Sequence, residues 1–198
     1  MKASTPVSLV PLTLELHGAA LQALYRATPG YWALYGLDGP SPNQAEHDLR
    51  AAAATPGRTL MGIVRRVQAD TPDAGAELIG LIDFRLHWPG QSVAYVGLFL
   101  VAEALQRRGI GTQAWRLLEP WLAQDAGMFK ARLKVEQFNP GALRFFGRLG
   151  FRLTGQTDRY RVGDQFVRLL YMEQEWSHPY SNIVRQTGAG GSNAYPHG

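Results

Sequence analysis

The sequence predicts a mixed α+β layered fold, with a central, mostly antiparallel sheet of about seven strands flanked by helices. Three observations lead there. Short runs of apolar and β-branched residues bounded by Gly, Pro, Asn and Asp read as strands. Other stretches carry apolar residues at three- and four-residue spacing, which is helical. The two kinds follow the order strand, two helices, a strand meander, helix, strand, helix, strand, strand, a pattern for a sheet with helices packed on it. At 198 residues the chain is long enough for one well-buried core. We expect one domain over residues 1–176 and a polar, Gly-rich tail over 177–198.

Val7-Ser8-Leu9-Val10-Pro11-Leu12 reads as the first strand, with Pro11 at its end. Leu14, Leu16, Ala20, Leu21, Leu24 and Tyr25 then take helical spacing, broken at Thr28-Pro29-Gly30. Tyr31, Trp32 and Tyr35 cluster before Gly36 and a loop rich in Gly and Pro. Glu46 to Ala54 reads as a second helix, ended by Thr55-Pro56-Gly57. Thr59–Val64 and Leu78–His87 are strands joined by a polar turn over Ala69 to Ala76, and Trp88-Pro89-Gly90 turns the chain into a strand over Ser92–Val101.

A helix from about Gly109 to Gln124 follows, marked by Ile110, Ala114, Trp115, Leu117, Leu118, Trp121 and Leu122. Pro120 must kink or interrupt it, because it removes one backbone hydrogen bond. Ala131–Glu136 alternates like a strand. Asn139 is a good N-cap and Pro140 a good first helical residue, and Gly150 ends that helix. Phe151–Leu153 and Phe166–Met172 are the last strands, joined by a hairpin around Gly163.

Composition excludes several classes of function. The chain has no cysteine, so disulfides, thiolate metal ligands and a cysteine nucleophile are ruled out. His17, His47, His87, His178 and His197 have no ligand spacing, and no metal is expected. No apolar run is as long as a membrane span, and the N-terminus lacks the apolar core of a signal peptide, so a cytoplasmic location with no membrane partner is expected. The net charge of +4 suits an anionic ligand, but no Lys/Arg block points to nucleic acid.

The stretch Leu98–Thr112 organises the chain. It runs from a buried strand through a basic, glycine-bearing turn into a helix N-terminus. Such a terminus offers unpaired N–H groups and the positive end of the helix dipole, and Gly109 and Gly111 would let a phosphate approach them. No Gly-Lys-Ser/Thr ending is present, so it is not a Walker loop.

Gln106-x-x-Gly109-x-Gly111 resembles the acetyl-CoA pyrophosphate loop of the GNAT superfamily of N-acetyltransferases. Downstream, Asn139-x-x-Ala142, Phe146 and Gly150-Phe151 resemble the family's Asn-x-x-Ala-x-x-x-Tyr-x-x-x-Gly-Phe. Two motifs in order and at the usual separation are far more specific than either alone. The resemblance is detailed over roughly residues 92–152, and by element order over residues 7–176.

The resemblance implies acetyl-CoA as co-substrate. Its arm would lie along Phe99, Leu100 and Val101, and its pyrophosphate on Gln106, Arg107, Arg108, Gly109, Ile110, Gly111 and Thr112. Asn139 and Phe146 would flank the arm. Phe146 departs from the family, which often has there a Tyr assigned as general acid for the CoA thiolate, and Phe cannot donate a proton. Either thiolate leaves without an acid, or a water or another hydroxyl such as Tyr160 or Tyr95 serves, or the protein binds acyl-CoA without chemistry.

For the base, Glu136 and Asp83 rank ahead of His87 and Glu103. Tyr31, Trp32 and Tyr35 fall in the region that walls the acceptor pocket in the family. The expected function is acetyl transfer to a primary amine of a small-molecule or peptide acceptor. The alternative is a non-catalytic acyl-CoA-binding module. Dimers are common in this superfamily, so a homodimer is compatible with the resemblance.

Overall fold

The structure, a computed structural model, describes residues 6–66, 75–162 and 165–176. The tail from Ser177, the turn at Gly163 and most of the turn over Ala69 to Ala76 lie outside the described residues.

Among the described residues seven strands form one sheet: β1 (Val7–Pro11), β2 (Arg58–Arg66), β3 (Ala76–Leu86), β4 (Val93–Val101), β5 (Lys130–Glu136), β6 (Arg152–Val162) and β7 (Gln165–Glu175). Their order is β1-β2-β3-β4-β5-β7-β6. Only β4 and β5 run parallel; every other neighbouring pair is antiparallel. A parallel pair needs a crossover, and α4 (Ile110–Pro120) supplies it. The expected mixed, mostly antiparallel sheet of seven strands is the one observed.

Helices cover both faces. On one side α4 and α5 (Pro140–Arg148) bury Ile110, Ala114, Trp115, Leu118 and Phe146 against Ile82, Phe84, Val96 and Leu133. On the other, α1 (Leu14–Arg26), α2 (Pro29–Ala33) and α3 (Gln44–Ala54) bury Leu21, Leu24, Tyr25, Trp32 and Leu49 against Leu60, Leu81 and Leu100. Among the described residues no helix is long and apolar enough to cross a membrane.

Several elements depart from the sequence reading. Thr28-Pro29-Gly30 does end α1, but Pro29 also starts a short helix, α2, carrying the aromatic cluster. A proline at the first helical position gives up an N–H that had no partner there anyway. The helical stripes are narrower than expected, because Leu16, Leu117 and Trp121 are exposed.

The helix expected over 109–124 divides at Pro120. Proline has no N–H for the preceding turn, and the chain widens into a π-type turn over Trp121–Asp125. The Ala126 N–H closes that turn on the Trp121 carbonyl at 2.8 Å. The last two strands form a hairpin of eleven residues each, far longer than expected. The extra part of β6, Thr154–Arg161, is polar and exposed on both faces, so it leaves no alternating pattern to read.

One irregularity shapes the functional region. Asp83 pairs with Leu98 but Phe84 pairs with Val96, so Gly97 is an extra residue, a β-bulge in β4. The bulge shifts the alternation by one. Ala94 and Val96 belong to the α4/α5 core before it, and Phe99 and Val101 pack there after it. Pairing with β5 ends at the same point, with Val96 opposite Leu133.

Trp115 is 0% exposed, whereas Leu117, two residues on, is 50% exposed. Trp115→Ala should cost about 3–5 kcal/mol of unfolding free energy. Leu117→Ala should cost about 0.5 kcal/mol or less. Urea titration of both variants checks this, and equal losses would contradict the burial of this face.

Candidate functional site

Beyond Val96 and Leu133 the parallel strands part, and an open cleft of about 520 Å³ lies between them. Strand β5 stays in the sheet on its other side, where Lys134, Val135 and Glu136 pair with Tyr171, Leu170 and Leu169. One wall is Gly97, Leu98 and Phe99 of β4; the other is Lys134, Val135 and Glu136 of β5. Asn139, Ala142 and Phe146 close one end, and Tyr31, Leu34 and Tyr35 cover the cleft from the α2 side.

The two sequence motifs meet here. Phe99 lies 5.4 Å from Phe145 and 6.1 Å from Phe146, centroid to centroid. Phe146 also packs 5.5 Å from Phe151 and is buried. It therefore presents ring surface to the cleft and no hydroxyl. Asn139 accepts a hydrogen bond from the Ala142 N–H at 3.1 Å, capping α5 while lining the cleft. Leu100 points the other way, into the α1–α3 core.

The basic turn sits where β4 ends. Gln106 donates through Nε2 to the Val101 carbonyl at 3.0 Å, bracing the loop on the strand. Arg107 (φ 58°) and Gly109 (φ 81°) are both left-handed, a turn form that gathers backbone N–H groups into a concave anion-binding surface. The N-cap of α4 is Gly109, which has no side chain to cap the helix. A Cβ on Gly109 would meet nothing within 4 Å, so the space beside this glycine is open. Gly111 has a different duty: a Cβ there would come within 3.0 Å of the Phe145 ring. Arg107 and Arg108 are exposed, Ile110 is buried, and Thr112 lies in the first turn of α4. The loop therefore has the charge, the donors and the room for a phosphate-bearing group.

The acid–base candidates separate. Glu136 lines the cleft and accepts a short hydrogen bond from the Tyr35 hydroxyl. Burial, that bond and the Glu136 charge hold the Tyr35 hydroxyl well above its ordinary range. Burial and the Glu136 and Asp48 charges push Tyr31 up to about 12.

Asp83 lies outside the cleft, with both oxygens engaged by Arg58 at 3.0 and 2.7 Å. Tyr160 is exposed on the edge strand β6, and Tyr95 stands against Trp88, 4.6 Å between centroids. His87 sits on the β3–β4 turn. Glu103 accepts from the Gly30 N–H at 3.1 Å and so fixes the start of α2.

Lys134 was not singled out in the sequence. It lines the cleft, pairs with Asp158 at 2.7 Å and lies 4.9 Å from the Tyr171 ring centroid. Burial works against its charge, but bonds to Asp158 and Tyr171 hold its pKa above the ordinary lysine range. Gly97 was also missed, although a glycine inside an apolar strand is a known sign of a bulge. Among the described residues no group of three or more His, Asp or Glu could hold a metal ion.

The model of the acetyltransferase (GNAT) family matches residues 29–151. No curated protein matches the chain in sequence. Solved structures do. An acetyltransferase from Thermus thermophilus is 26% identical, with a TM-score of 0.67 over 87% of this chain and 99% of that one. A GCN5-related N-acetyltransferase from Brucella melitensis is 19% identical, with a TM-score of 0.67 over 85% of this chain and 75% of that one. The PaiA N-acetyltransferase from Thermoplasma acidophilum, solved in complex with coenzyme A, is 17% identical, with a TM-score of 0.58 over 86% of this chain and 99% of that one.

The raised Tyr31 hydroxyl makes stability depend on pH. Its folded value of about 12 lies above the ordinary 10.0, so folding favours the neutral form. This contribution is complete below pH 10. It should fall by up to about 1.4 kcal/mol per pH unit as the unfolded chain alone ionises, and be gone by about pH 12. Denaturant titrations at pH 9, 10 and 11 should show a shallower fall for Tyr31→Phe than for the parent. Equal slopes would rule out the shifted hydroxyl.

Proposed function

The chain belongs to the acetyltransferase (GNAT) family, and from that premise we propose that it moves an acetyl group from acetyl-CoA to a primary amine. The acceptor is a small molecule or a peptide, and the attack is direct, within a ternary complex. The observation that carries the reading is the parting of β4 from β5 beyond Val96 and Leu133, with the glycine turn at the end of the same β4.

Acetyl-CoA is the co-substrate. The turn from Gln106 to Thr112 fits its pyrophosphate, because it is left-handed at Arg107 and Gly109, a form that gathers N–H donors, and the space beside Gly109 is open. Two arginines, 107 and 108, add charge. The free edge of β4 at Phe99–Val101 suits the arm's amides, which can add to it as an extended strand would, with Asn139 and Phe146 opposite.

Glu136 is the base in this reading. The amine nitrogen bonds to the acyl carbon, the carbon–sulfur bond breaks, and the proton lost by the amine passes to Glu136. Tyr35 positions that carboxylate through its hydrogen bond. Asp83 is the weaker choice, since Arg58 occupies both its oxygens. Phe146 has no proton to give. A thiol with a pKa near about 8.5 leaves acceptably as thiolate and takes its proton from water, so neither Tyr160 nor Tyr95 is required.

Phe146 also favours a second reading, a non-catalytic module that binds acyl-CoA. Thermal unfolding and CoA release over a panel of amines separate the two. Acetyl-CoA at about 100 times its Kd should add about 2.7 kcal/mol of stability. The gain should vanish in a variant carrying Arg107→Glu and Arg108→Glu. Glu136→Gln should keep the gain and lower kcat by roughly 10²–10⁴-fold. Binding without CoA release from any amine would favour the module, and no thermal gain would end both readings.

A further inference from the structure

A second pocket, about 650 Å³ and open to solvent, lies on the sheet face that carries α1–α3, past the end of α3. It shares Gly97 with the cleft. The bulge glycine is exposed and separates the two spaces without a side chain. Whatever enters the second pocket can therefore extend over Gly97 towards the point where the strands part.

The chemistry of this pocket is specific. Arg58 and Asp83 face it but cancel each other in a two-pronged ion pair. Arg85 is different. Its Nε donates to the Pro56 carbonyl at 3.2 Å and its guanidinium lies 5.8 Å from the Trp88 ring centroid. No carboxylate among the described residues pairs with it. Two anchors thus fix the side chain and leave its charge unneutralised. Arginine stays ionised at any physiological pH and binds carboxylate or phosphate with two parallel hydrogen bonds. Beside it, Trp88 and Tyr95 meet edge to face, 4.6 Å between centroids, and line the same pocket.

We propose that this pocket is the acceptor's recognition subsite, and that the acceptor is an amine carrying an acidic group. The acid pairs with Arg85, a flat apolar part rests on Trp88 and Tyr95, and the amine crosses Gly97 into the cleft. Arg85 pairs with Tyr95 across the sheet, two residues before Gly97. That is about 7 Å of strand, so the acid and the amine stand several bonds apart, as in an ω-amino acid rather than an α-amino acid. The inference rests on the acetyl-transfer reading and adds the substrate class to it.

The test compares 4-(aminomethyl)benzoate, 4-(aminomethyl)phenylphosphonate and benzylamine as acceptors, with acetyl-CoA binding followed in parallel by thermal shift. At least one acid-bearing amine should exceed benzylamine in kcat/KM by about tenfold or more, as expected for a charge-assisted bidentate contact. The better acid tells a carboxylate site from a phosphate site. Arg85→Gln should abolish the advantage of the acids over benzylamine while keeping the acetyl-CoA shift, and Arg85→Lys should restore part of it. Equal rates for acid-bearing and plain amines, an advantage that survives Arg85→Gln, or turnover of benzylamine but of neither acid would overturn the subsite alone, whereas acetyl-CoA binding with no turnover of any of the three amines would remove the acetyl-transfer reading on which it rests. Absence of an acetyl-CoA shift in the parent would also remove that reading.

Discussion

The site depends on one extra residue in a strand. A β-sheet repeats every two residues, so a single inserted residue both breaks the ladder and exchanges the faces. At Gly97 the insertion does both. It turns Phe99 toward α5 and Leu98 and Leu100 toward α1–α3. It coincides with the end of β4–β5 pairing, while β5 keeps its full register with β7. The sheet stays continuous on one side of the gap and opens on the other. A backbone edge inside a protein is usually a hazard that must be covered; here it becomes the wall of a cleft.

The cleft is held open by contacts that form a ring around it. After β4, Glu103 donates its N–H to the Ala27 carbonyl at 2.9 Å and accepts from the Gly30 N–H with its carboxylate. These bonds fasten α2 to the end of the strand. On α2 and just past it, Tyr31 and Tyr35 pack 5.5 Å apart, and Tyr35 reaches across to Glu136 on β5. The path therefore runs from β4 through a carboxylate and a short helix to β5. A glutamate in a loop, which looks like a solvated group in the sequence, thus fixes the position of the tyrosines that cover the site.

Charge on the part of the sheet beyond the helices α1–α3 follows a different rule. Arg58 with Asp83, and Lys130 and Arg132 with Glu173, are paired across neighbouring strands, and Lys134 reaches over β7 to Asp158 on β6. Burial opposes ionisation of Glu173, yet the two cations hold its pKa below the ordinary carboxylate range. Such pairing keeps a strand face polar without accumulating charge. An unneutralised Arg85 beside an aromatic wall therefore stands out against its neighbours.

By itself the sequence determined the elements and the two motifs, because both are local. Apolar spacing marks a buried face of α4 or β5 wherever it folds, Asn139-Pro140 caps a helix from its own atoms, and the glycine at 109 marks a tight turn, whereas only packing shows that Gly111 makes room for the Phe145 ring. Where local pattern was silent, the reading fell short: polar β6 shows no alternation, and the breaker Pro29 also starts a helix. Tertiary structure decided which carboxylate is available. Asp83 and Glu136 look alike as alternating acids on strands. Partners 25 residues away in Arg58 and 101 residues away in Tyr35 give one an ion pair and the other a place in the cleft. The physical reason is range: spacing along the chain marks which side chains share a face within a regular element, but only the packed sheet fixes where a bulge such as Gly97 exchanges the faces and what stands opposite each side chain.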